Sequence, residues 1–419
     1  ITQLCIFEAM DVSWFIAKRI ALKKQPSYSR FITRLATAAT AVSVAAMIIT
    51  LAFVNGFQKT VSEKVFGFWG HIRVQQYESA KSIVAEETAI LHDPQVVTTV
   101  QQMPGVSHVQ SFATKSAVIQ FNKDIEGILL KGVDSNYNFN NLQGFLKAGR
   151  WPRFSDSLYS KEIAISTPLA TMLGIALNDT VKLIFIGNTS TAAQFRKLQV
   201  VGLYKTGIDA YDKLFALGDM RLIRRINQWE PNAIGGYEVF LSDYTHMDSL
   251  NARLYEQLPG TWVSRTMREI FPNIFDWLNI QDVNRDLIFV IMGVVAIINL
   301  ITSLLILILE RVKMVGVFKA LGATNWHIQE IFVWQSSFIA LIGVGIGAFI
   351  GVGLCLLQQH FQLIQLNELE YYVSTAPIHI IWWQVIAVCI VTMLVCFISL
   401  LLPSMLVTKI NPVKAIQFR

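Results

Sequence analysis

Four long apolar runs alternate with polar segments along the chain. Each run is free of Asp, Glu, Lys and Arg, and each can cross roughly 30 Å of hydrocarbon as a helix. The runs are Leu35 to Val54, Leu287 to Leu309, Ile331 to Leu357 and about Ile380 to Val407. We therefore predict a membrane protein with four transmembrane α-helices. We place these helices at residues 31–56, 286–309, 331–357 and 380–407.

The long polar stretch between the first two runs, residues 57–285, carries its own alternating patterns. Period-two alternation predicts strands at His71 to Tyr77, Val106 to Phe121, Ile125 to Val133, Thr180 to Ile186, Leu198 to Tyr204 and Tyr237 to Leu241. Helical patterns lie at Pro94 to Gln102, Thr167 to Leu173, Asp219 to Asn227 and Ser249 to Leu258. We expect a large α+β extracytoplasmic domain with mixed sheets, inserted between the first and second transmembrane helices.

The charge distribution predicts the orientation in the membrane. Only 15% of the residues are charged, against about 25% in an average soluble protein. Twelve basic and four acidic residues lie before Leu35, between Glu310 and Glu330, and after Val407. The positive-inside rule places these segments, and so both termini, in the cytoplasm. The loop 358–379 has no Lys or Arg and is predicted to be periplasmic. The positive net charge therefore reflects topology, and we expect no nucleic-acid partner.

The polar interruption at residues 310–330 has a helical apolar stripe. Met314, Phe318 and Leu321 are spaced to lie on one face of a short helix. The basic side chains of Arg311, Lys313 and Lys319 stay available to water or an acidic partner. The pattern favours a cytoplasmic coupling helix that docks on another protein. An ordinary basic loop between two spans is the alternative.

Motifs for chemistry within the chain are missing. The sequence has no GxxxxGK[ST] phosphate loop, no HExxH and no GxSxG. The four cysteines, Cys5, Cys355, Cys389 and Cys396, form neither a disulfide framework nor a CxxC metal site. Since no Asp, Glu, Lys or Arg lies inside an apolar run, an ion-coupled carrier is also disfavoured. We predict no catalytic residue, no metal ligand and no cofactor in this chain.

Small and polar residues within the spans predict helix packing. Asn299, Thr302 and Ser303, and the run Gln335 to Ser337, are expected to make interhelical hydrogen bonds. Gly343, Gly347 and Gly351 recur every four residues and allow another helix to approach closely. That helix is either a neighbouring span of the same chain or part of a second subunit.

Several segments, in order, resemble the four-span permease subunits of lipoprotein-releasing (Lol-type) ABC transporters, with the related MacB-type exporters and FtsX-like permeases. They are WFIAKRIALKK (Trp14 to Lys24, an amphipathic elbow within cytoplasmic residues 1–30), VNGFQKTVSEKVFG (Val54 to Gly67), KAGRWP (Lys147 to Pro152), LGIALNDTVKL (Leu173 to Leu183), LQVVGLYKTGI (Leu198 to Ile208), INLITSL (Ile298 to Leu304), ERVKMVGVFKALGA (Glu310 to Ala323) and NPVKAI (Asn411 to Ile416), the last within the cytoplasmic tail 408–419. The resemblance covers essentially the whole chain.

The resemblance implies a transport subunit of the bacterial inner membrane, without its own ATPase site. A dimer of permease subunits, identical or paralogous, would sit on a cytosolic ABC ATPase dimer that binds ATP and Mg²⁺. The coupling residues would be Glu310, Met314, Phe318, Lys319, Leu321, Gly322 and Ala323. Acylated lipoproteins would leave the membrane lipid for a periplasmic carrier. We expect contact with the lipid anchor at Met47, Leu51, Val54, Phe289, Met292 and Val295, for which plain packing is the alternative.

One segment departs from this family. Where the carrier-recruiting subunit has a protruding hairpin, the stretch Gly187 to Lys197 is short, which leaves carrier docking there open. Two alternatives share the architecture. One is a MacB-like mechanotransmission exporter, although such proteins usually carry a fused ATPase domain. The other is an FtsX-like regulator of a cell-wall hydrolase, whose outer domain is usually much smaller.

Overall fold

The computed structural model describes residues 27–78, 86–154, 158–185 and 193–404. The predicted elbow, the cytoplasmic tail and much of the Gly187 to Lys197 stretch lie outside them. The chain divides into two compact units. We call the unit formed by residues 1–58, 279–365 and 376–419 the helical unit, and the unit formed by residues 59–278 and 366–375 the sheet unit.

The helices follow the predicted apolar runs and extend beyond them. In chain order they are α1 (Ser27–Trp69), α2 (Pro94–Gln101), α3 (Thr167–Leu173), α4 (Asp209–Leu214), α5 (Met220–Asn227), α6 (Met247–Gln257), α7 (Met267–Ile270), α8 (Pro272–Glu310), α9 (Val312–Ala320), α10 (Asn325–Phe361), α11 (Glu368–Tyr371) and α12 (Trp382–Ser404). Among the described residues, four of them, α1, α8, α10 and α12, are long and apolar enough to cross a membrane.

The helical unit is held together by apolar clusters and by one close helix contact. One cluster joins Leu304 and Ile308 of α8 to Phe332 of α10. A second joins Ile48 of α1 to Val385 of α12. Because these side chains are almost fully buried, they stabilise the unit by van der Waals packing between the helices, which is the main attraction between helices inside a membrane.

The glycine stripe of α10 packs against α1. A Cβ atom on Gly347 would lie 2.5 Å from the carbonyl oxygen of Ala41, and one on Gly343 would lie 2.9 Å from Cβ of Thr40. Gly351 lies against Ala45 in the same way. The stripe therefore serves a neighbouring span of this chain, the first of the two alternatives. Since both residue numbers rise together along the contact, α1 and α10 run parallel.

The strands lie in the sheet unit. They are β1 (Ile72–Gln76), β2 (Ile90–Leu91), β3 (Val106–Phe121), β4 (Asp124–Val133), β5 (Leu146–Gly149), β6 (Glu162–Ser166), β7 (Thr180–Phe185), β8 (Gln194–Tyr204), β9 (Phe215–Asp219), β10 (Ala233–Ile234), β11 (Gly236–Leu241) and β12 (Trp262–Thr266). Short 3₁₀ turns occupy Phe139–Phe145 and Tyr244–His246.

One ten-stranded mixed sheet organises the unit, with strand order β12-β1-β11-β3-β4-β9-β6-β8-β5. Strand β7 pairs with both β3 and β8, so the pairings from β3 through β4, β9, β6, β8 and β7 return to β3. Parallel pairs occur between β4 and β9 and between β6 and β8. The expected α+β composition and mixed pairing are confirmed.

Polar side chains inside the spans do not behave as predicted. The side chains of Asn299 and Thr302 donate to carbonyls of their own helix, at 2.9 Å and 2.8 Å. The buried side chains of Ser303 and of Gln335 to Ser337 have no hydrogen-bond partner among the described residues. The prediction of interhelical hydrogen bonds is therefore wrong for Asn299 and Thr302, because the carbonyl one turn earlier is already within reach.

Candidate functional site

The polar interruption is a short helix, a turn and the start of the next span. Helix α9 follows α8 directly, and the amide of Leu321 bonds to the carbonyl of Val317 at 3.0 Å. Gly322 has φ of +92°, which glycine adopts without strain. The side chain of Thr324 then caps α10 by accepting from the amide of His327. The predicted coupling helix 310–330 is thus too long, because residues 325–330 belong to α10.

The three residues of the predicted apolar stripe are not equally buried. Met314 and Phe318 pack against the buried cluster of the helical unit, and Val315 is fully buried. Leu321 lies beyond the end of α9 and is 79% exposed. The common face of Met314, Phe318 and Leu321 is not formed, because α9 uses two of these residues to pack on its own bundle.

Three other apolar side chains of the same segment are exposed to solvent. Val317, Leu321 and Trp326 are 48%, 79% and 68% exposed, and the basic side chain of Lys313 is exposed as well. We call these three apolar residues the outer face. The i, i+4 spacing of Val317 and Leu321 was visible in the sequence. The sequence alone could not show whether this pair or the Met314 stripe is exposed, because apolar residues lie on most sides of α9.

The other predicted coupling residues of this segment differ in exposure. Glu310 ends α8 and is exposed, as is Gly322. Lys319 is partly exposed, and its partial burial lowers the pKa of its ammonium group. Ala323 packs against the buried cluster. Their role in ATPase coupling stays a prediction.

The structure brings together most residues predicted to contact a lipid anchor. Met47 and Leu51 of α1 belong to a buried cluster, against which Phe289 and Met292 of α8 pack. Val54 is also buried, at 3% exposure, whereas Val295 is 40% exposed. In this arrangement Met47, Leu51 and Val54 are buried, whereas Phe289 and Met292 are partly exposed. The contact stays a prediction.

A segment of the sheet unit comes from the connection between α10 and α12. Residues 366–375, which contain α11, pack with the rest of this unit. Lys64 of α1 donates from Nζ to the carbonyl oxygen of Tyr372 at 2.7 Å. Glu368 forms an ion pair with Lys205, and the rings of Trp277 and Tyr372 lie 5.6 Å apart. We call residues 366–375 the latch.

A tight turn holds the latch. Gly207 has φ of +80°, and a Cβ atom there would lie 2.5 Å from Nζ of Lys64 and 2.6 Å from Oε1 of Glu368. The carboxylate of Asp212 accepts from the amides of Thr206 and Gly207, at 2.9 Å and 3.0 Å. Glycine suits this position because its φ lies in the left-handed region, and a side chain there would also displace the charged ends of Lys64 and Glu368.

A buried ion pair lies beneath the end of α1. The side chains of Lys131 (β4) and Glu238 (β11) are fully buried, with Nζ and Oε1 2.5 Å apart. Lys131 Nζ also donates to the carbonyl oxygen of Phe68, in the last turn of α1. Burial lowers the pKa of Lys131 and raises that of Glu238, while each partner opposes the shift of the other. Sequence reasoning missed this pair, because nothing in the alternation of β4 or β11 marks either charge as buried.

Comparison with known protein families shows which family this chain belongs to. The family model described as a MacB-like periplasmic core domain matches residues 33–255, more than half of the 419 residues. The chain belongs to this MacB-like family. The model described as an FtsX-like permease C-terminal region matches residues 287–412. The resemblance to lipoprotein-releasing, MacB-type and FtsX-like permeases is confirmed.

Curated relatives of this MacB-like protein align along nearly its whole length. The lipoprotein-releasing system transmembrane protein LolC of Xylella fastidiosa is 22% identical, over 94% of this chain and 96% of the relative. LolE of Haemophilus influenzae is 20% identical, over 97% of this chain and 100% of the relative. The solved periplasmic region of MacB from Actinobacillus actinomycetemcomitans aligns with 48% of this chain and 91% of that chain at 16% identity. Its TM-score of 0.33 is too low to support a conclusion.

Proposed function

We propose that this MacB-like protein is the permease subunit of an ABC transporter that extracts lipoproteins from the outer leaflet of the bacterial inner membrane and passes them to a periplasmic carrier. The observation that carries the proposal is the alignment with proteins named for lipoprotein release over 94% of this chain and 96% of the relative. The two family matches, at residues 33–255 and 287–412, support it.

The energetics require a coupled source of free energy. A triacylated anchor with roughly 15 methylenes per chain, at about 0.8 kcal/mol per buried CH₂, resists extraction by on the order of 35 kcal/mol. Spontaneous release would be negligible, and no phosphate-binding loop occurs in this sequence. We therefore assign ATP and Mg²⁺ to a partner ATPase dimer, and the apolar carrier accepts the chains as they leave.

The proposed arrangement follows the charge distribution. The helical unit spans the membrane with both termini in the cytoplasm, and the sheet unit is periplasmic, inserted between the first and second spans. The short segments assigned to the cytoplasm hold twelve basic residues against four acidic ones. A second permease subunit, identical or paralogous, completes the transporter.

The outer face is the proposed contact with the ATPase. Val317, Leu321 and Trp326 expose apolar surface between two spanning helices, where a water-exposed patch of this kind indicates a protein partner. Met314 and Phe318 act from beneath by fixing α9 on the bundle. A push on the outer face would then be transmitted to α8 and α10.

The latch is the proposed link from the fourth span to the periplasmic unit. Its ends continue along the chain into α10 and α12, while Lys64, Lys205 and Trp277 contact it within the sheet unit. Lys64 lies on α1 and Trp277 on α8. All four spanning helices are therefore connected, by the chain itself, to elements of the sheet unit.

Depletion of the protein in its native cells tests the proposal. Lipoproteins labelled with a clickable palmitate analogue are followed by membrane fractionation. We expect mature lipoproteins to accumulate in the inner membrane, with soluble periplasmic proteins unchanged. Wild-type protein should restore their release, and the Leu321→Asp variant should not. An unchanged lipoprotein distribution after depletion would rule the proposal out.

A MacB-like exporter is the second candidate, favoured by the match of residues 33–255 to the MacB-like core. Its cargo would be soluble and periplasmic. In the same depletion experiment this function predicts the opposite result, retention of a soluble protein with normal lipoprotein fractionation.

A further inference from the structure

An apolar groove runs along the surface of the helical unit between α1 and α10. It encloses about 700 Å³, within the range of small-ligand sites. Ala41 and Ala45 lie on its α1 side, at the points where the close contact with Gly347 and Gly351 brings the helices together. The outward walls include Val42, which is 67% exposed. The glycine contact therefore creates the groove, because the backbones meet at its base and the larger side chains diverge above.

One end of the groove is polar and positive. Arg34 lies there with Thr33 and Thr37, and its side chain is exposed. The segment Ser27 to Gln58 contains no Asp or Glu. Among the residues that the structure describes, no carboxylate forms an ion pair with Arg34. The rest of the lining is apolar, down to Ile49 and Leu354.

The groove is long enough to cover the hydrocarbon of one bilayer leaflet and part of its headgroup region. Arg34 and Ile49 are fifteen residues apart on α1, which corresponds to about 22 Å along a helix. A leaflet contributes about 15 Å of hydrocarbon. The groove can therefore follow one acyl chain from the headgroup region to the middle of the membrane, with Arg34 at the headgroup end.

We propose that this groove binds one anionic phospholipid, with its phosphate on Arg34 and one acyl chain along α1 and α10. Basic residues at the headgroup end of a groove between spanning helices recognise anionic lipids. A second copy of the chain is a poorer occupant. On the proposed topology it would bring its own cytoplasmic segments, which together hold twelve basic residues against four acidic ones, to the same side of the membrane as Arg34.

The site is distinct from the residues proposed for the lipoprotein anchor. Those residues lie on α1 and α8, and none of them lines the groove. The lipid would remain bound during transport, as a structural ligand that fills the space between two packed helices. The proposal rests on the proposed membrane topology but not on the identity of the cargo.

Native mass spectrometry of the purified full-length chain tests the proposal. Phosphatidylglycerol and phosphatidylethanolamine with identical acyl chains are added separately, and glycerol 3-phosphate serves as the soluble headgroup control. We expect one phosphatidylglycerol per chain, with weaker retention of phosphatidylethanolamine and none of glycerol 3-phosphate. Arg34→Gln should weaken phosphatidylglycerol binding about five-fold, the share of one basic residue at a membrane surface, and Arg34→Lys should retain it.

The second part of the experiment uses a variant that fills the groove. Ala46→Phe places a ring inside the groove and should reduce lipid binding. Ile390→Phe on the exposed surface of α12 and Lys313→Gln in the α9 segment are the matched controls and should bind lipid as the wild type does. The unfolding midpoint of each variant verifies folding.

Three results would overturn the proposal. The first is equal retention of the two lipids. The second is unchanged phosphatidylglycerol binding by Arg34→Gln. The third is loss of a dimer without loss of lipid in Ala46→Phe, which would assign the groove to a second copy. Because lipid binding is measured without ATPase or cargo, failure here leaves the proposed transport function separately testable.

Discussion

Lys64 donates a hydrogen bond from Nζ to the main-chain carbonyl of Tyr372 across 2.7 Å, joining α1 to the latch. Burial lowers the pKa of Lys64, and the carboxylates of Glu368 and Asp212 act in the opposite direction. Tyr372 itself has a positive φ of 59°, an uncommon conformation for a residue other than glycine. The latch is thus held in a defined conformation by charged groups of the sheet unit.

Removal of this donor should loosen the latch. Lys64→Met keeps most of the side-chain volume but leaves the Tyr372 carbonyl and Glu368 without the ammonium group. We expect faster hydrogen–deuterium exchange in residues 366–375, measured on the full chain by mass spectrometry. Lys213→Met is the control, because Lys213 pairs with Asp209 on the exposed surface of α4. Equal exchange in the two variants would show that the latch does not depend on Lys64.

The buried pair of Lys131 and Glu238 should be costly to break and cheaper to remove. Lys131→Met leaves a buried carboxylate without its partner and should destabilise the sheet unit by about 3–5 kcal/mol. The double variant Lys131→Met/Glu238→Leu should recover part of this loss, as read from denaturant unfolding followed by tryptophan fluorescence. The exposed Lys197→Met should change stability by less than about 0.5 kcal/mol. A double variant no more stable than Lys131→Met would contradict this account.

His71 should make the sheet unit sensitive to mild acid. Burial, and to a smaller extent the charge of His108, lowers the pKa of His71 from 6.5 to about 4. Its Nδ1 accepts from the amide of Leu241, so the folded state holds a neutral ring. Between pH 6.5 and 4 the unfolded chain binds a proton that the folded chain does not, and stability falls as the pH falls, by up to about 3 kcal/mol.

Thermal unfolding between pH 7.5 and 5 measures this dependence. His71→Asn should flatten it, whereas His246→Asn, at an exposed position in the same unit, should not. The same slope in all three proteins would assign the acid sensitivity to other groups.

Two glycines of α10 provide a matched pair. Gly347→Ala forces a methyl group against the Ala41 carbonyl and should destabilise the helical unit by about 1–3 kcal/mol. Gly345→Ala meets no atom within 4 Å and should be neutral or slightly stabilising. The unfolding midpoints of the purified variants in detergent provide the comparison. The reverse order would mean that the stripe serves a second subunit and not α1.

Alternation and apolar runs predicted the larger elements well. Strand β3 and helix α3 have the predicted bounds, Val106–Phe121 and Thr167–Leu173. Strands β2, β5, β10 and β12 were not predicted, and neither were β6 and β9, which lie inside the sheet. Nearly all their residues are buried, and a strand buried on both faces has no period-two pattern. Each of these two strands has only five residues, so its length did not mark it as a strand either.

The sequence predicted where the candidate site lies along the chain, but not which of its side chains are exposed. The segment between the second and third spans was evident from polarity alone. Its outward face was not, because Met314 and Val317 are equally apolar and only tertiary packing decides which one faces the bundle. The latch was invisible for a related reason. Its contacts join Glu368 to Lys205 over more than 160 positions, and a single sequence contains no signal for such a distance.

The outer face should be essential for coupling and dispensable for folding. Leu321→Asp places a carboxylate in the proposed ATPase contact and should lower transport about ten-fold or more, as expected for a central interface residue. The unfolding midpoint should stay close to that of the wild type, since Leu321 is 79% exposed. Met314→Ala should instead lower the midpoint, because Met314 packs on the bundle.

Release of lipoprotein from proteoliposomes tests the central claim most directly. The chain is co-purified with its permease partner and ATPase, reconstituted with a fluorescent triacylated lipoprotein, and mixed with the periplasmic carrier. We predict transfer to the carrier that requires ATP and Mg²⁺, is lost in Leu321→Asp and does not occur with a non-acylated form of the same cargo. ATP hydrolysis without any transfer of the acylated protein, or equal transport of the non-acylated form, would contradict the proposed function.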